Sequence, residues 1–338
     1  MKAVVIPAYG DFDVFVVEER EEPQPKQGEV LIRAKSSGVN FADIMARMGV
    51  YPDAPKPPMV IGYEVAGDVE KVGEGVKNFK EGDKVFTLTM FGGYAEKVAA
   101  PAEMVRHIPP GFDYETASAV PVNYLTAYHS LIYMGNLKTF ETVLIHSAGG
   151  GVGTAGVQIA RWVGAKIIAT ASAAKREYLK ELGVDYFINY LEEDFSAKVL
   201  ELTHGKGVDV ILDSLGAEQL MRNYRCLAPA GRLITFGMFS IVKGDRKDIS
   251  KAMREVLKEG KFHPLRLFND NKAIIGVNLN HLATRKDIIS YEMDKIIELM
   301  KEGYVRPHVD KIFPLEQAGK AHRYIQERKN KGKVVLKI

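Results

Sequence analysis

A glycine-rich turn between an apolar run and an amphipathic stretch constrains the fold of this chain most. Residues 142–163 read TVLIHSAGGGVGTAGVQIARWV. The first four residues are mostly β-branched and apolar, which is typical of a parallel strand buried on both faces. Apolar residues then return at helical spacing, at Val152, Ala155, Ile159, Ala160 and Val163. The pattern predicts a strand, a phosphate-binding turn and a helix, in that order.

Small residues in this turn follow the spacing of the dinucleotide-binding fingerprint G-x-G-x-x-G, with alanine in the first place. They are Ala148, Gly150 and Gly153. The first permits a tight turn, the second lets a pyrophosphate approach the backbone, and the third lets the helix pack closely on the strand. N–H groups at the helix start, around Gly151 and Val152, then face the phosphate. A frame of Gly151, Gly153 and Gly156 also matches, but it moves the second glycine into the helix.

The order of the predicted elements indicates two domains and an α/β fold class. Residues 1–122 carry short strands between Gly and Pro turns, which is typical of a compact, mostly β domain. From residue 123 strands and helices alternate, which predicts a doubly wound parallel sheet over residues 123–280. Residues 281–338 return to mixed character, so we assign them to the first domain. Ligand sites favour domain interfaces, so we expect a cleft between the two domains.

The pattern of the second half also predicts three further elements. They are a helix from Ala217, a strand over residues 273–279 and a helix over residues 315–328.

Composition excludes several classes of function. The 338 residues carry a net charge of +3, with basic residues dispersed among acidic ones, so we expect no nucleic-acid partner. Cys226 is the single cysteine, which excludes a disulfide within the chain, and we expect it to be a buried, inert thiol. We see no signal peptide and no apolar stretch long enough to span a bilayer. These features predict a cytoplasmic protein without membrane insertion.

Several longer motifs resemble a known family. They are SSGVNFADIMARMGVYP, VIGYEVAGDVEKVGEGV, GDKVF, VPVNYLTAYHSL, HSAGGGVGTAGVQIAR and the closing KGKVVL. Over its whole length the chain resembles the quinone oxidoreductase branch of the medium-chain dehydrogenase/reductase superfamily. The segments NFADIMAR, VNYLTAY and IGVNLNHL are most similar to relatives of the synaptic-vesicle membrane protein VAT-1. The resemblance implies a GroES-like catalytic domain, a Rossmann domain and hydride transfer in the cleft between them.

Many members of this superfamily hold zinc, and the resemblance identifies the positions that test for it. Zinc members have Cys at the position of Asn40 and His at the position of Tyr63, and an amide and a phenol are poor substitutes for these ligands. The cysteine-rich lobe of a structural zinc is also missing, because GDKVF is followed almost directly by FGGYA. None of the eight histidines forms an H-x-x-H or H-E-x-x-H pair. We therefore expect no metal.

The end of the second strand of the Rossmann domain predicts NADPH as the cofactor. NAD-specific domains place an acidic residue about twenty positions past the glycines, where it binds the ribose 2′-hydroxyl. Residues 171–176 read ASAAKR and contain no carboxylate. Ser172 and Lys175 are therefore candidate partners of a 2′-phosphate, and the family resemblance adds Tyr190. Arg176 either joins them or begins a solvated helix.

The resemblance also marks the candidate substrate pocket. It lies where Asn40, Asp43, Tyr51, Tyr63 and Asn123 fall in this sequence. Asn40 either binds the cofactor ribose or a substrate oxygen, or caps a loop. Tyr51 or Tyr63 either orients or protonates the acceptor oxygen, or only lines the wall. Asp43 either binds substrate, or caps its helix or pairs with Arg47.

Further cofactor neighbours are predicted from the resemblance and from the carboxyl ends of strands, where the crevice of such a sheet lies. They are Asn123, Thr126, Met238, Phe239, Val277 and Leu279. The last four are equally consistent with hydrophobic packing.

Taken together, these features predict a zinc-independent NADPH-dependent oxidoreductase that reduces a quinone or another activated carbonyl or alkene. One alternative is a 2-enoyl thioester or enone reductase, in which a pocket tyrosine protonates the carbon next to the carbonyl. Another is an NADPH-binding scaffold protein with little turnover. The family resemblance also implies a homodimer, formed by pairing of an exposed edge in the strand over residues 273–279.

Overall fold

Two units make up the chain in the computed structural model, which describes residues 1–216, 219–237 and 264–338. The first unit consists of Met1–Leu125 and Leu279–Ile338, and the second of Thr126–Asn278. The strands of the described residues, in chain order, are β1 Lys2–Ile6, β2 Val16–Glu19, β3 Glu29–Val39, β4 Met59–Val60, β5 Glu64–Val72, β6 Lys84–Leu88, β7 Lys97–Pro101, β8 Val105–His107, β9 Thr142–Ile145, β10 Lys166–Ala171, β11 Tyr186–Asn189, β12 Val208–Asp213, β13 Leu227–Thr235, β14 Ala273–Gly276, β15 Val309–Pro314 and β16 Lys333–Lys337.

Helices connect these strands. In the described residues the α-helices are α1 Phe41–Arg47, α2 Tyr114–Ala117, α3 Pro121–Tyr128, α4 Gly151–Val163, α5 Arg176–Glu181, α6 Phe195–Leu202, α7 Leu220–Cys226, α8 Pro264–Asp270, α9 Leu279–Leu282, α10 Lys286–Lys301 and α11 Ala318–Gln326. A π-helix covers His129–Met134, and short 3₁₀ helices cover Ala102–Met104, Ala173–Lys175 and Leu315–Gln317. None of them combines the length and the apolar character that a membrane crossing requires.

Most strand pairs of the first unit are antiparallel, as its alternating pattern predicts, whereas β15 and β16 pair in parallel. Its larger sheet has the order β15-β16-β3-β5-β6-β8, with β7 also paired to β3, and a smaller sheet has the order β2-β1-β4. Val4 and Ile6 of β1 pack with Val334 and Leu336 of β16 and with Tyr94 in one buried cluster. The C-terminal strand therefore completes the core of the N-terminal half, and the predicted β-rich architecture is confirmed.

The second unit contains a six-stranded sheet in the order β11-β10-β9-β12-β13-β14. Every neighbouring pair in this sheet is parallel, and apolar side chains such as Leu144, Ile168, Ile211 and Leu233 fill its core. The strand order reverses between β9 and β12, which is where open α/β sheets bind ligands at the carboxyl ends of their strands. The predicted doubly wound Rossmann domain is confirmed.

Some boundaries differ from the sequence prediction. The helix expected from Ala217 begins at Leu220 among the described residues, and Ala217 itself lies outside them. The strand expected over residues 273–279 ends at Gly276, which pairs with Thr235, the last residue of β13. The helix expected from residue 315 begins at Ala318, after a short 3₁₀ turn.

Helices α2 and α3 are absent from the sequence prediction. Nearly every residue of α3 is buried, so its sequence lacks the one-sided apolar stripe that identifies a surface helix.

Candidate active site

The glycine turn lies between β9 and α4. Gly150 is the N-cap of α4, which begins at Gly151, so the first N–H groups of the helix have no partner within it. A Cβ on Gly153 would lie 2.3 Å from the Ser147 carbonyl oxygen and 2.5 Å from Ala148 Cα. Glycine at position 153 therefore lets the helix pack against the turn. The frame of Ala148, Gly150 and Gly153 keeps its second glycine outside the helix, whereas the alternative frame does not.

The predicted phosphate-binding side chains lie at the carboxyl ends of β10 and β11. Ser172 directly follows β10, and the N–H of Tyr190, directly after β11, donates to the Ala171 carbonyl oxygen at 3.4 Å. Lys175 Nζ donates to the Gly149 carbonyl oxygen at 3.4 Å, and Lys175 is only 9% exposed. The structure thus brings Lys175 against the glycine turn, although the two are 26 residues apart in sequence.

Arg176 makes different contacts from Lys175. It is exposed at the start of α5, and its guanidinium stacks over the Phe187 ring at 4.4 Å from the centroid. This arrangement favours the interpretation of Arg176 as the start of a solvated helix.

His146 supports the start of the turn, and sequence reasoning missed it. Its Nδ1 lies 3.0 Å from Thr170 Oγ1 and its Nε2 lies 2.8 Å from Asn223 Oδ1. Burial lowers the pKa of His146, so its imidazole is neutral at neutral pH. The sequence feature that could have identified His146 is its position directly after the apolar strand TVLI, at the carboxyl end of a strand in a parallel sheet.

In the first unit, Asn40 belongs to a buried polar cluster with Glu64 and Lys333. Asn40 Nδ2 donates to Glu64 Oε1 at 2.8 Å, and Asn40 Oδ1 accepts from Lys333 Nζ at 2.6 Å. Lys333 also forms an ion pair with Glu64, whose second oxygen accepts from the Val122 N–H at 2.7 Å. Sequence reasoning named Asn40 but missed both of its charged partners. Lys333 lies 293 residues away, so no local pattern connects the two.

Asp43 is fully buried and ties α1 to the segment before Tyr63. Its carboxylate accepts from the N–H of Asn40 at 2.8 Å, the N–H of Gly62 at 3.0 Å and the Tyr94 hydroxyl at 3.3 Å. Burial raises the pKa of Asp43 to about 7. The sequence offered two structural roles for Asp43, capping α1 or pairing with Arg47, and the structure shows the cap. Arg47 instead donates from its Nη2 to Gln326 Oε1 at 2.8 Å.

Tyr51 and Tyr63 lie together, with their rings edge to face and their centroids 6.2 Å apart. The Phe91 ring also packs against Tyr63, with the ring centroids 4.9 Å apart. The Tyr51 hydroxyl accepts from Asn280 Nδ2 at 3.1 Å. Burial raises the pKa of Tyr51 to about 12 and raises that of Tyr63 further, so both phenols remain protonated. Asn280 was not identified from the sequence, although it lies in the motif IGVNLNHL.

The remaining residues that were predicted to lie near the cofactor belong to several different elements. Asn123 and Thr126 are buried on α3, at 5% and 6% exposure. Val277 follows β14, and its N–H donates to the Thr235 carbonyl oxygen at 2.9 Å, while Leu279 begins α9. Met238 and Phe239 lie outside the described residues.

The residues at the positions of zinc ligands do not fit a zinc ion. They supply an amide from Asn40, a phenol from Tyr63 and the neighbouring carboxylate of Glu64, and the Lys333 ammonium contacts two of these three groups. A fixed cation repels a metal cation, and zinc sites use His, Cys and carboxylate ligands in tetrahedral array. Within residues 1–216, 219–237 and 264–338, no group of three or more His, Cys, Asp or Glu residues is arranged to hold a metal.

Two family models match the chain. A zinc-binding dehydrogenase model matches residues 182–336, and an alcohol dehydrogenase GroES-like domain model matches residues 26–110. The synaptic vesicle membrane protein VAT-1 homologs of Danio rerio and Homo sapiens are each 36% identical to this chain. These two alignments cover 99% of the chain and, respectively, 69% and 86% of the relative.

Solved structures with the same fold include enzymes of two activities. The Escherichia coli quinone oxidoreductase complexed with NADPH is 28% identical, with a TM-score of 0.87 and 100% of both chains covered. A mycobacterial protein complexed with NADPH is 32% identical, with a TM-score of 0.88 and 100% of both chains covered. The CurK enoyl reductase is 28% identical, with a TM-score of 0.86, and the match covers 99% of this chain and 98% of that one.

Proposed function

This chain belongs to the medium-chain dehydrogenase/reductase superfamily, together with the VAT-1 homologues, and on that premise we propose that it is a zinc-independent NADPH-dependent oxidoreductase. Its acceptor is a quinone or another activated carbonyl or alkene. Bound NADPH supplies a hydride. The acceptor takes up this hydride, with its two electrons, and one proton, so that a quinone leaves as the hydroquinone and NADP⁺ is released.

The position of Lys175 carries this proposal. Lys175 lies against the glycine turn at the end of β10, where an NAD-specific domain has an acidic residue. Its ammonium, with Ser172 and Tyr190 at the same edge, is suited to the negative charge of a 2′-phosphate. The glycine turn, Gly150 to Gly153, with Ala148, is suited to the pyrophosphate. The two similar structures that contain NADPH support the same choice.

In the first unit, we assign the reduction chemistry to Tyr51, Tyr63 and Asn40. Both tyrosines stay protonated at neutral pH, so they can donate to an acceptor oxygen as charge develops on it. Asn40 is held rigidly by Glu64 and Lys333, which suits a group that orients a bound ligand. Asp43 positions Asn40 and the Tyr63 segment through its bonds to Asn40 N and Gly62 N. Asn123 and Thr126 are the proposed nicotinamide neighbours, and Val277 and Leu279 are further proposed cofactor contacts.

An enoyl thioester or enone reductase is the second candidate, which the similarity to the CurK enoyl reductase favours. In that reaction the hydride goes to the β-carbon, and a proton goes to the carbon next to the carbonyl. Product analysis separates the two activities, because one yields a hydroquinone and the other a saturated carbonyl compound. A scaffold protein would bind NADPH and consume it with neither acceptor.

The first experiment measures NADPH and NADH oxidation by chelator-treated protein with phenanthrenequinone. We expect faster consumption of NADPH, unchanged by the chelator. Activity that is lost on chelation and restored by zinc would refute zinc independence.

A variant pair tests the cofactor assignment. Lys175→Gln removes the charge beside the glycine turn and should raise the KM for NADPH about 10- to 100-fold, with little effect on NADH, because a hydrogen bond to a charged group is lost. Arg176→Gln is the matched control, since that guanidinium packs on Phe187. An equal response of the two variants would contradict the role of Lys175.

Two further features of this proposal concern assembly and location. β14 is an edge strand of the six-stranded sheet in the described residues, so we propose that it pairs with its symmetry mate in a homodimer. Light scattering that gives a monomer mass at micromolar concentration would refute this. We also propose that the protein acts in the cytoplasm, which cell fractionation tests.

A further inference from the structure

Two adjacent residues of α9 hold the loop that carries Tyr51. Asn280 Nδ2 donates to the Tyr51 hydroxyl at 3.1 Å, and His281 Nε2 lies 3.0 Å from Asp53 Oδ1. These partners are 229 and 228 residues apart in sequence. The loop is therefore fixed at both Tyr51 and Asp53. The contact at Tyr51 determines the hydrogen-bonding role of a phenol that we assign to the reduction of the acceptor.

The bond from Asn280 determines what the Tyr51 hydroxyl can offer. A phenol has one hydrogen to donate and an oxygen that accepts, whereas the amide nitrogen of asparagine only donates. Because Asn280 Nδ2 donates to the Tyr51 oxygen, the hydrogen of Tyr51 is not used in that contact and points elsewhere. Asn280 thus makes Tyr51 a donor toward a third group.

Tyr63 provides a second phenol beside the first. Tyr63 is 4% exposed, and its buried hydroxyl forms no hydrogen bond of normal geometry among the described residues, although Tyr51 and Asn280 both influence its pKa. Buried hydroxyls are nearly always satisfied, so a buried phenol without a well-formed hydrogen bond indicates a group that a ligand completes. Its ring packs against both Tyr51 and Phe91, so the hydroxyl has a defined position.

The nearby carboxylates do not compete for these hydrogens. Asp43 accepts from Asn40 N, Gly62 N and Tyr94, and Asp53 Oδ1 is engaged by His281. Neither phenol has a hydrogen bond to an acid in the described residues.

We infer that Tyr51, Tyr63 and Asn280 form a donor-only site for one ligand oxygen that carries or gains negative charge. Tyr51 and Tyr63 contact that oxygen, and Asn280 is the positioning residue that directs the Tyr51 hydrogen toward it. The inference rests on the proposed function for its substrate class, which is a conjugated carbonyl compound. Hydride addition to such a compound places negative charge on the carbonyl oxygen, as an enolate or a hydroquinone anion, and preorganised donors stabilise that charge.

A binding experiment tests the site without any turnover. The probe is p-nitrophenol, whose ionised form absorbs at a longer wavelength than the neutral form. A donor-only site binds the phenolate, so we expect the pKa of the bound dye to fall by about one unit or more, which corresponds to a tenfold preference for the anion. A bound dye with an unchanged or raised pKa would overturn the inference.

Variants of Asn280 and Tyr51 then identify the positioning role. Asn280→Leu removes the donor at similar volume and should weaken phenolate binding about tenfold. Asn280→Asp should weaken it further, because the carboxylate attracts the Tyr51 hydrogen and repels the anion. Thr284→Ala, two residues after the same helix, is the matched control, because Thr284 is exposed, and it should leave the dye's pKa unchanged. Thermal unfolding and NADPH binding confirm that each variant is folded.

A double variant decides whether Asn280 acts through Tyr51. Tyr51→Phe removes the hydroxyl that Asn280 contacts, so Asn280→Leu should have no further effect in that background. Effects that multiply in the double variant would overturn the positioning role, and so would phenolate binding that Asn280→Leu leaves unchanged.

Turnover separates this inference from the proposed function. With phenanthrenequinone and with cyclohexenone, Tyr51→Phe should lower kcat about 100-fold or more, and Asn280→Leu should lower kcat with a smaller effect on KM. If wild-type protein binds the phenolate in an Asn280-dependent way yet reduces neither acceptor, the reductase proposal fails and the oxygen site stands. If it reduces an acceptor but all variants match wild type, the oxygen site fails and the reductase stands.

Discussion

Replacing Lys333 by methionine would leave Glu64 without its cation partner inside the first unit. Glu64 has no exposed side-chain surface, and that of Lys333 is 3% exposed. Asn40 Nδ2 and the Val122 N–H would remain as donors to the Glu64 carboxylate. Methionine keeps most of the apolar stem of lysine, so the variant changes charge and hydrogen bonding with little change in packing.

The size of the effect follows from this geometry. Removing one partner of a buried ion pair costs about 3–5 kcal/mol, because the other charge stays desolvated. Two neutral donors to Glu64 remain, so we expect the free energy of unfolding to fall by about 3 kcal/mol. Adding Glu64→Gln removes the unpaired charge and keeps an amide oxygen for the Val122 N–H. The double variant should therefore recover about 2 kcal/mol.

Native-state hydrogen exchange in low urea measures this loss at the amides of β3, β5 and β16. Trp162 is the single tryptophan and lies in the second unit, so its fluorescence during urea unfolding is an internal control. We expect protection to fall in the three strands while the tryptophan transition stays in place. A single variant within about 1 kcal/mol of wild type, or a double variant less stable than the single one, would refute the reasoning.

Three further predictions test other parts of the structure. Asp43→Asn should flatten the pH dependence of unfolding between about pH 4 and about pH 7: the buried carboxyl has a pKa of about 7, so wild type loses stability as the pH rises through this window. Urea unfolding at several pH values measures this, and parallel curves would contradict it. Gly153→Ala places a Cβ 2.3 Å from a backbone oxygen of the turn, so NADPH affinity should fall about tenfold or more in a fluorescence titration. Gly276→Ala, which meets open space, is its control and should bind NADPH as wild type does. Arg232→Lys breaks a two-bond pair with Glu141 and should lower the stability of the second unit by about 1–3 kcal/mol, which tryptophan fluorescence in urea measures. An unchanged urea midpoint would contradict this prediction, because it would show that a single lysine ammonium contact to Glu141 stabilises the second unit equally well.

The sequence by itself determined the features that depend on local pattern. Apolar spacing and glycine positions predicted the strand, turn and helix of residues 142–163, because strand and helix periods are written in neighbouring residues. The change from closely spaced strands to alternating strands and helices likewise predicted both sheet types. The residue types at Asn40, Tyr63 and the end of β10 predicted a site without zinc and with NADPH, and these remain predictions for the experiments above.

The tertiary structure decided which distant residues meet. Lys333 reaches Asn40 across 293 residues, and Asn280 reaches Tyr51 across 229. The sequence left Asp43 as a substrate ligand, a helix cap or a partner of Arg47, and packing buried it completely with a raised pKa. Short-range pattern fixes the period of each element, but only the packing of β16 on β3 and of α9 beside the Tyr51 loop places these side chains. Burial and hydrogen bonding then set their charge states, because both depend on neighbours that come from far along the chain.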